Sequence, residues 1–429
     1  NRDERTAESE KDAFEYTALL WGSATPRAAA LKKVFSSRDE YIPRLSSLER
    51  AASRKPAAFN DPDTARLLFP SEMNLSASRI ESYYRCRFAY FCKYGLKAEP
   101  RRTADLDGLT FGTLTHWVME KVLPIYTAQG IEDIDRPRVF ADVVEAVGQY
   151  VDDVMGGTED KTSRFAALLK RLSAITGALL WQVVCELKQS RFVPVDFEIS
   201  VGRPYEGDGS KARVVGKIDR VDVYKQGSTS YVRVLDYKTG SKEFRLSDVV
   251  EGINVQMLIY LFSVWQNGRE RYGDVVPAGI LYMPAKLPVV QVGRDADMEK
   301  VKAEQIKALR MNGLLLDDPE VIRAMEKDAA GLFIPAKLNN NGEFSKGSGI
   351  ASLEQMGLLK KSIDRLLIKM AQTLRQGDIA ALPTAGELEA CDWCDYKTVC
   401  GHEQDDPVRF LQKRDDKMVF DELAKAEDN

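Results

Sequence analysis

Asp219, Asp236 and Lys238 have the side-chain types and the spacing that metal-dependent hydrolysis requires. The flanking segments 211–224 and 229–235 are rich in Val and Ile and are separated by a short polar turn, which predicts a two-stranded hairpin. Side chains directly opposite each other in a hairpin have Cβ atoms roughly 5 Å apart, where two carboxylates repel unless a cation lies between them. A hard cation such as Mg²⁺ prefers oxygen ligands of this kind.

The register of this hairpin follows from its turn. If residues 227–228 form a two-residue type II′ loop, counting outward from the loop places Asp219 opposite Asp236. Lys238 is two residues beyond Asp236 and therefore lies on the same face of the strand. The same register places Lys217 opposite Lys238, so we expect the strands to separate there. A solvated hairpin with a charged outer face is the alternative interpretation.

Two short segments carry a resemblance to a known family. Val-Val-Gly-Lys-Ile-Asp-Arg-Val-Asp at 214–222 and Leu-Asp-Tyr-Lys-Thr-Gly at 235–240 resemble the RecB-type branch of the PD-(D/E)XK nuclease superfamily. Gln256 and Tyr260, spaced i, i+4 on a predicted helix, match the Q-x-x-x-Y motif of that branch. The alternative is a plain core helix, because the neighbouring residues are apolar nearly all round.

The resemblance implies an α/β fold with a restriction-endonuclease-like core, in which a mixed central sheet is flanked by helices. It also implies that Asp219 and Asp236 hold Mg²⁺ together with His116, which lies on a predicted helix over 111–125 where the family has a metal-binding histidine. A helix histidine with a structural role is the alternative. Glu198 is a weaker candidate for the same site and is not included in the expected ligand set.

The expected chemistry is hydrolysis of a DNA phosphodiester. The metal would lower the pKa of a bound water and neutralise charge on the phosphate. Lys238 would orient that water or stabilise the transition state. Gln256 and Tyr260 complete the expected catalytic group, and the carbonyl of Tyr237 is a further candidate ligand.

Four cysteines form a second pattern. Cys391, Cys394 and Cys400 have the spacing C-x2-C-x5-C, and Cys86 lies far upstream. In the RecB-type nucleases that this chain resembles, one remote and three clustered cysteines bind a 4Fe–4S cluster, for which four thiolates are the usual ligands. Such a cluster would close a loop of about 300 residues and act as a staple that joins the domain ends. The spacing also permits a Cys3His zinc site with His402.

The segment 75–91 resembles the opening of the nuclease domain in the AddB family of bacterial helicase-nuclease subunits, which favours the iron-sulfur interpretation. A helix is predicted to begin near Ser76 or Ser78, each of which has a hydroxyl that can cap it. Arg79, Arg85 and Arg87 lie among aromatic residues here and are candidate contacts for single-stranded DNA. The alternative interpretation is that these arginines lie on a solvent-exposed helix surface and contact no DNA.

The composition is that of an ordinary soluble chain, with 429 residues, 44% of them hydrophobic, and a net charge of -4. We expect a cytoplasmic protein, because no stretch reads as a membrane span and no secretory signal opens the chain. The negative net charge predicts that contacts with DNA are confined to a groove. No Walker A motif occurs, so we expect no ATP hydrolysis by this segment.

Three parts are predicted along the chain. Residues 1–72 would be a helical tail of an upstream helicase-like region, 73–405 the nuclease domain with a helical insertion at 138–190, and 406–429 a charged helical tail. The resemblance implies a subunit that resects double-strand breaks, with an AddA-like helicase-nuclease subunit and single-stranded DNA as partners. The alternatives are a stand-alone iron-sulfur exonuclease of the CRISPR-associated branch and a non-catalytic DNA-binding module. Within the nuclease domain, further predicted elements are a strand over 278–283, a helix over 298–311, a polar loop over 339–349 and a helix over 353–374.

Overall fold

A computed structural model of the chain describes residues 8–52, 58–59, 61–99, 108–157, 161–207, 210–238, 240, 243–286, 297–403 and 405–427. The chain divides into two compact units, residues 1–58 and 59–429. The described residues of the first unit form three α-helices and a short 3-10 turn, with a small core that includes Tyr16, Leu20 and Ala28. The second contains the sheet and all the candidate site residues.

The second unit begins at Phe59, earlier than the predicted boundary at residue 73. The amide of Phe59 donates to the carbonyl of Gly377 at 2.9 Å, and its ring lies 5.3 Å from that of Phe91. The segment that follows Phe59 also supplies a short helix and the first strand of the central sheet. These contacts attach residues 59 and 61–72 to the second unit.

A seven-stranded mixed sheet forms the centre of the second unit. Its strands run in the order β1-β3-β4-β5-β6-β7, and β2 also pairs with β3. The β2–β3, β3–β4 and β5–β6 pairs are antiparallel, whereas β1–β3, β4–β5 and β6–β7 are parallel. The strands are β1 Glu72–Leu75, β2 Val193–Gly207, β3 Ser210–Gln226, β4 Thr229–Lys238, β5 Asp274–Pro284, β6 Asn312–Leu316 and β7 Ile350–Ala351, and β8 Thr384–Gly386 pairs separately with β9 Arg409–Leu411.

Helices cover this sheet. The stretch predicted to be helical, 138–190, contains two helices, α8 Arg136–Met155 and α9 Ser163–Lys188. The α-helices are α1 Glu10–Leu19, α2 Pro26–Ser36, α3 Ile42–Ala52, α4 Pro62–Leu68, α5 Ala77–Arg85, α6 Arg87–Tyr90, α7 Gly108–Gln129, α8 Arg136–Met155, α9 Ser163–Lys188, α10 Leu246–Val249, α11 Gln256–Asn267, α12 Arg269–Tyr272, α13 Met298–Ala308, α14 Pro319–Met325, α15 Leu353–Arg375, α16 Lys397–Cys400 and α17 Asp416–Lys425. Short 3-10 turns occur at Asp39–Tyr41 and Ile131–Asp133, and a π turn at Phe91–Gly95.

The predicted β3–β4 hairpin is confirmed with the register that its turn implies. Gln226 pairs with Thr229, and the ladder continues to the pair of Arg220 with Leu235. Gly227 has a φ of +62°, which the first position of a type II′ turn requires. The described ladder stops at the Arg220 pair, immediately before the two aspartates, so the strands separate at the predicted site.

Helix α9 is the one described helix that is long and apolar enough to cross a membrane, so the expectation that no stretch is this apolar is wrong. Its contacts are those of a core helix. Leu179, Leu180, Val183 and Val184 are fully buried, and its Glu186 takes part in a buried ion-pair network on the sheet. The apolar composition of α9 is therefore explained by packing within the fold.

The helix predicted near Ser76 begins with that residue as its cap, since the hydroxyl of Ser76 accepts from the amide of Arg79. The helix ends at Arg85. Cys86 has an extended backbone, with φ -164° and ψ 121°, and α6 begins directly after it. Cys86 therefore lies at a break between two helices.

Candidate active site and cysteine site

His116, Glu198 and Asp219 converge where β3 and β4 separate. One ligand atom from each lies within 4.8 Å of those of the other two, and among the described residues no other three metal-ligating side chains meet this closely. The Nδ1 atom of His116 lies 3.4 Å from Asp219 Oδ2 and 3.7 Å from Glu198 Oε1. Ligands of one Mg²⁺ ion, each about 2.1 Å away from it, lie up to about 4.2 Å apart. The three residues therefore fit a divalent cation with a small contraction.

Tyr237 holds two members of this set through its backbone. Its amide donates to Asp219 Oδ2 at 2.8 Å, and its carbonyl oxygen lies 2.9 Å from His116 Nε2. Burial opposes protonation of His116, but hydrogen bonds with Asp219 and Glu198 outweigh burial and raise its pKa to about 10. A positive charge between the two carboxylates is thus strongly favoured.

Glu198 belongs to this set although the sequence made it only a weak candidate. The flanking pairs, Phe197 with Arg220 and Ile199 with Ile218, place Glu198 across from Asp219 on the neighbouring strand. Glu198 has a φ of +50°, a left-handed conformation that is uncommon for a residue with a side chain and that often occurs at functional sites. Its Oε2 also pairs with Lys217 Nζ at 2.8 Å. Burial raises the pKa of Glu198, but its hydrogen bonds with His116 and Lys217 outweigh burial and lower it.

Asp236 and Lys238 form a second group beside the first. Lys238 Nζ lies 2.6 Å from Asp236 Oδ2, which agrees with their predicted place on one face of β4. The side-chain amide of Gln256 donates to Asp236 Oδ1 at 3.3 Å. Burial, and then the charge of Asp219, raise the pKa of Asp236 to about 6, while Lys238 opposes this shift. Asp236 thus lies close enough to Asp219 for mutual repulsion, but it faces Lys238 and Gln256.

Tyr260 lies one turn after Gln256 on α11, as the i, i+4 spacing predicts. It is buried, and burial raises the pKa of its hydroxyl, which also interacts with Gln256 and with the backbone of Lys217. Its ring lies against Gly216, three residues before Asp219. Gln256 and Tyr260 therefore fix Asp236 and the strand that carries Asp219.

A closed ion-pair network lies next to the site in the core. Arg220 makes two contacts of 2.8 Å with the carboxylate of Asp222, and Arg233 reaches Asp222 at 2.8 Å and Glu186 at 2.6 Å. Arg220 also reaches Glu186 at 3.3 Å and donates to the hydroxyl of Tyr237 at 3.3 Å. The two arginines and Asp222 are fully buried, and Glu186 is 2% exposed. Sequence reasoning did not predict this network, because the contact of α9 with the sheet is not local.

Cys86, Cys391, Cys394 and Cys400 line one small cavity, as the predicted ligand set requires. All four are free thiols and partly buried. Burial, and then the nearby Cys394 and Cys400, raise the pKa of Cys86. His402 lines the same cavity, and its amide lies 3.4 Å from Cys400 Sγ. The structure thus brings the remote cysteine to the clustered ones.

The three arginines expected to contact DNA have different surroundings. Arg85 is exposed. Arg79 donates to the carbonyl of Asn74 at 3.0 Å and lies over the ring of Tyr94, 4.9 Å from its centroid. Arg87 is half-buried in an ion pair with Asp378. Arg85 is therefore the one whose exposure best suits a DNA contact.

The metal-dependent nucleases with a restriction-endonuclease-like core are defined by a mixed sheet of this kind. Their acidic residues lie where two central strands separate, and a lysine follows the second of these acidic residues by two positions. The family model described as the PD-(D/E)XK nuclease superfamily matches residues 74–401, and the chain belongs to this superfamily.

Several relatives share one name, that of the B subunit of an ATP-dependent helicase/deoxyribonuclease. The chain is 32% identical over 376 residues to the B subunit from Thermoanaerobacter sp. (strain X514), an alignment that covers 83% of this chain and 33% of the relative. It is 30% identical over 427 residues to the protein of that name from Caldanaerobacter subterraneus subsp. tengcongensis, and this alignment covers 95% of this chain and 37% of the relative. The B subunit from Acetivibrio thermocellus is 29% identical over 412 residues, which cover 92% of this chain and 36% of the relative. These names confirm the resemblance to AddB, and the chain spans about a third of the length of the relatives it matches.

Proposed function

We propose that this chain is the nuclease region of an AddB-like helicase-nuclease subunit and hydrolyses DNA phosphodiesters with a divalent metal. The observation that carries the proposal is the convergence of His116, Glu198 and Asp219 beside Asp236 and Lys238. Mg²⁺ suits the carboxylate oxygens of this set. Of the three ligands expected from the sequence, His116 and Asp219 lie in this set with Glu198, and Asp236 lies beside it.

When bound, the metal supplies a water of lowered pKa and positive charge against the scissile phosphate. Lys238 orients the attacking water and stabilises charge on the phosphate oxygens. Asp236 holds the ammonium group of Lys238 at 2.6 Å, and Gln256 fixes the other oxygen of Asp236. Tyr237 fixes Asp219 and His116 through its backbone.

The cysteine cavity is proposed to hold a 4Fe–4S cluster. Four thiols from the two ends of the domain line one cavity, and thiolates are the usual ligands of this cluster. Cys86 in this cavity favours the four-cysteine set over a Cys3His zinc site built from the C-terminal residues alone. The role of the cluster would be structural.

The names of the relatives support a partner and a process. An AddA-like helicase-nuclease subunit would deliver single-stranded DNA to this site during resection of double-strand breaks in the bacterial cytoplasm. The segment contains no Walker A motif, so ATP hydrolysis would come from outside it.

Mg²⁺-dependent degradation of end-labelled single-stranded DNA tests the nuclease proposal. Asp236→Ala should abolish cleavage, while Asp274→Ala, at the exposed start of β5, should cleave like the native chain. Equal folding of all three proteins is checked by circular dichroism. Equal cleavage by all three would exclude Asp236 from the reaction. If the native chain is inactive alone, an AddA-like subunit is added, and inactivity of that complex would leave only a DNA-binding role.

A further inference from the structure

The exposed face of β3 leads straight into the candidate active site. Side chains along a strand alternate between its two faces, so Lys211, Arg213, Val215, Lys217 and Asp219 share one face. The residues between them face the core, where Ala212, Val214 and Ile218 are almost completely buried. Before Asp219, this face is open and mainly basic.

Burial agrees with this alternation. Lys211 and Arg213 are exposed, Val215 is 37% exposed, and the side chain of Lys217 is 55% exposed. Lys217 lies at the site itself, because its Nζ contacts Glu198. Successive cations at positions i and i+2 lie about 6.7 Å apart, which is close to the distance between adjacent phosphates in an extended single strand.

The neighbouring strand β2 leaves room along this face. Opposite Lys217, Val215 and Arg213 it has Ser200, Gly202 and Pro204, which are small and uncharged. The guanidinium of Arg213 extends over Gly202, since a Cβ atom built on that glycine would lie 3.2 Å from Arg213 Nε. Arg213 is therefore directed across the sheet face.

The acidic residues near this face flank its two ends. At one end, Lys211 pairs with the exposed Glu72 of β1 and with Glu206 of β2, whereas the β1 partner of Arg213 is the uncharged Asn74. At the other end are Glu198 and Asp219, the proposed metal ligands, and Glu120 of α7, whose charge, after the hydrogen bond with Glu198, helps to raise the pKa of Lys217. No described residue forms an ion pair or hydrogen bond with the guanidinium of Arg213. Arg213 is thus available for an anion, in a protein whose net charge is -4.

We propose that this exposed basic face of β3, from Lys211 to Lys217, binds the phosphates of the single DNA strand that enters the active site. The proposal rests on the nuclease function proposed above, and it assigns the path by which the strand reaches Asp219. Arg213 holds the backbone upstream, and Lys217 lies beside the scissile phosphate. Such contacts carry no sequence preference, as a nuclease that degrades any DNA end requires.

Binding is measured without cleavage, by fluorescence anisotropy of a labelled oligothymidylate in EDTA at several salt concentrations. Arg213→Gln should weaken binding severalfold at low salt and reduce the slope of log affinity against log salt by about 0.7, the value for one lost phosphate contact on a single strand. Arg213→Ala should act in the same direction, so the result does not depend on one variant. Lys225→Gln is the matched control, because Lys225 is an exposed cation on β3 at the turn end, beyond the site.

Equal affinities and slopes for Arg213→Gln and Lys225→Gln would overturn the proposal, as would failure of the native chain to bind the oligonucleotide at low salt. In the cleavage assay, Arg213→Gln should raise KM and leave kcat unchanged, because it removes binding far from the reacting atoms. If the protein cleaves DNA but Arg213→Gln binds the oligonucleotide as tightly as the native chain, the proposed path is wrong and the nuclease function stands. If Arg213→Gln weakens binding but the native chain cleaves no DNA, the path stands and the nuclease function is wrong.

Discussion

Tyr260 lies so close to Gly216 that a Cβ atom on the glycine would be 2.3 Å from the tyrosine hydroxyl oxygen. This contact joins two motifs that are separate in the sequence. Gly216 begins the G-x-x-D segment that ends at Asp219, and Tyr260 ends the Q-x-x-x-Y segment that begins at Gln256. The glycine is required because the aromatic ring takes the space of a side chain.

Gly216→Ala should therefore destabilise the protein by about 1–3 kcal/mol, the usual cost of overpacking, and reduce DNA cleavage. Urea unfolding measures the first effect. In a Tyr260→Ala background the same substitution should cost far less, because the ring is gone. Gly357→Ala is the control: this glycine lies in α15, a Cβ atom added to it would meet nothing within 4 Å, and alanine should stabilise the helix by about 0.5–1 kcal/mol. Equal losses at 216 in both backgrounds would contradict the steric explanation.

Removing a proposed metal ligand should weaken metal binding directly. His116→Ala and Glu198→Gln should each lower the affinity for Mn²⁺, a paramagnetic substitute for Mg²⁺, by more than about tenfold. The free Mn²⁺ signal in electron paramagnetic resonance gives the affinity without reference to activity. Glu243→Gln removes an exposed carboxylate elsewhere and should change nothing. Native affinity in Glu198→Gln would show that the metal is held by a different set, with Asp236 the nearest candidate.

The cysteine proposal predicts colour. Anaerobically purified protein should be brown and absorb near ~400 nm, and Cys86→Ala should lose both the colour and the bound iron. Cys185→Ala should keep them, since Cys185 lies on α9 and does not line the cavity. Metal analysis completes the test. A colourless native protein with one zinc ion, unaffected by Cys86→Ala, would instead establish the Cys3His site with His402.

The buried ion-pair network should be sensitive to the loss of one member. Arg233→Met leaves Asp222 and Glu186 with one arginine between them, and breaking a buried pair in this way costs about 3–5 kcal/mol. Arg66→Met should cost less than about 1 kcal/mol, because Arg66 and Asp63 form a surface pair whose side chains are 61% and 81% exposed. Denaturant unfolding of both variants makes the comparison. Similar losses would mean that the network contributes no more than a surface pair.

The hairpin was predictable because its register depends on local information. A two-residue turn at Gly227 fixes every pair in the ladder, and period-two alternation then places Lys238 beside Asp236. The cysteine spacing and the Q-x-x-x-Y motif are similarly short patterns. In the structure the four cysteines line one cavity, and Gln256 and Tyr260 lie one turn apart on α11, as these patterns predict.

The role of Glu198 was less predictable because it depends on pairing between β2 and β3. A register shift between Pro194 and Asp196 precedes it, so counting from one strand to the next does not locate its partner. The left-handed conformation of Glu198 is likewise set by its surroundings. Glu186 shows the same limit, because it meets Arg220 and Arg233 only after α9 has packed on the sheet.

The cysteine cavity also sets an order for the assembly of the protein. Cys86 comes from the start of the nuclease unit, whereas Cys391, Cys394 and Cys400 follow all seven strands of the central sheet. Because a ribosome releases a chain from its N-terminus, the last thiols emerge when nearly all of the fold has been synthesised. Under the 4Fe–4S proposal, iron and sulfide would enter this cavity only late in maturation, and a truncated translation product would contain the strands of the candidate site without the cysteines that join the two ends of the domain.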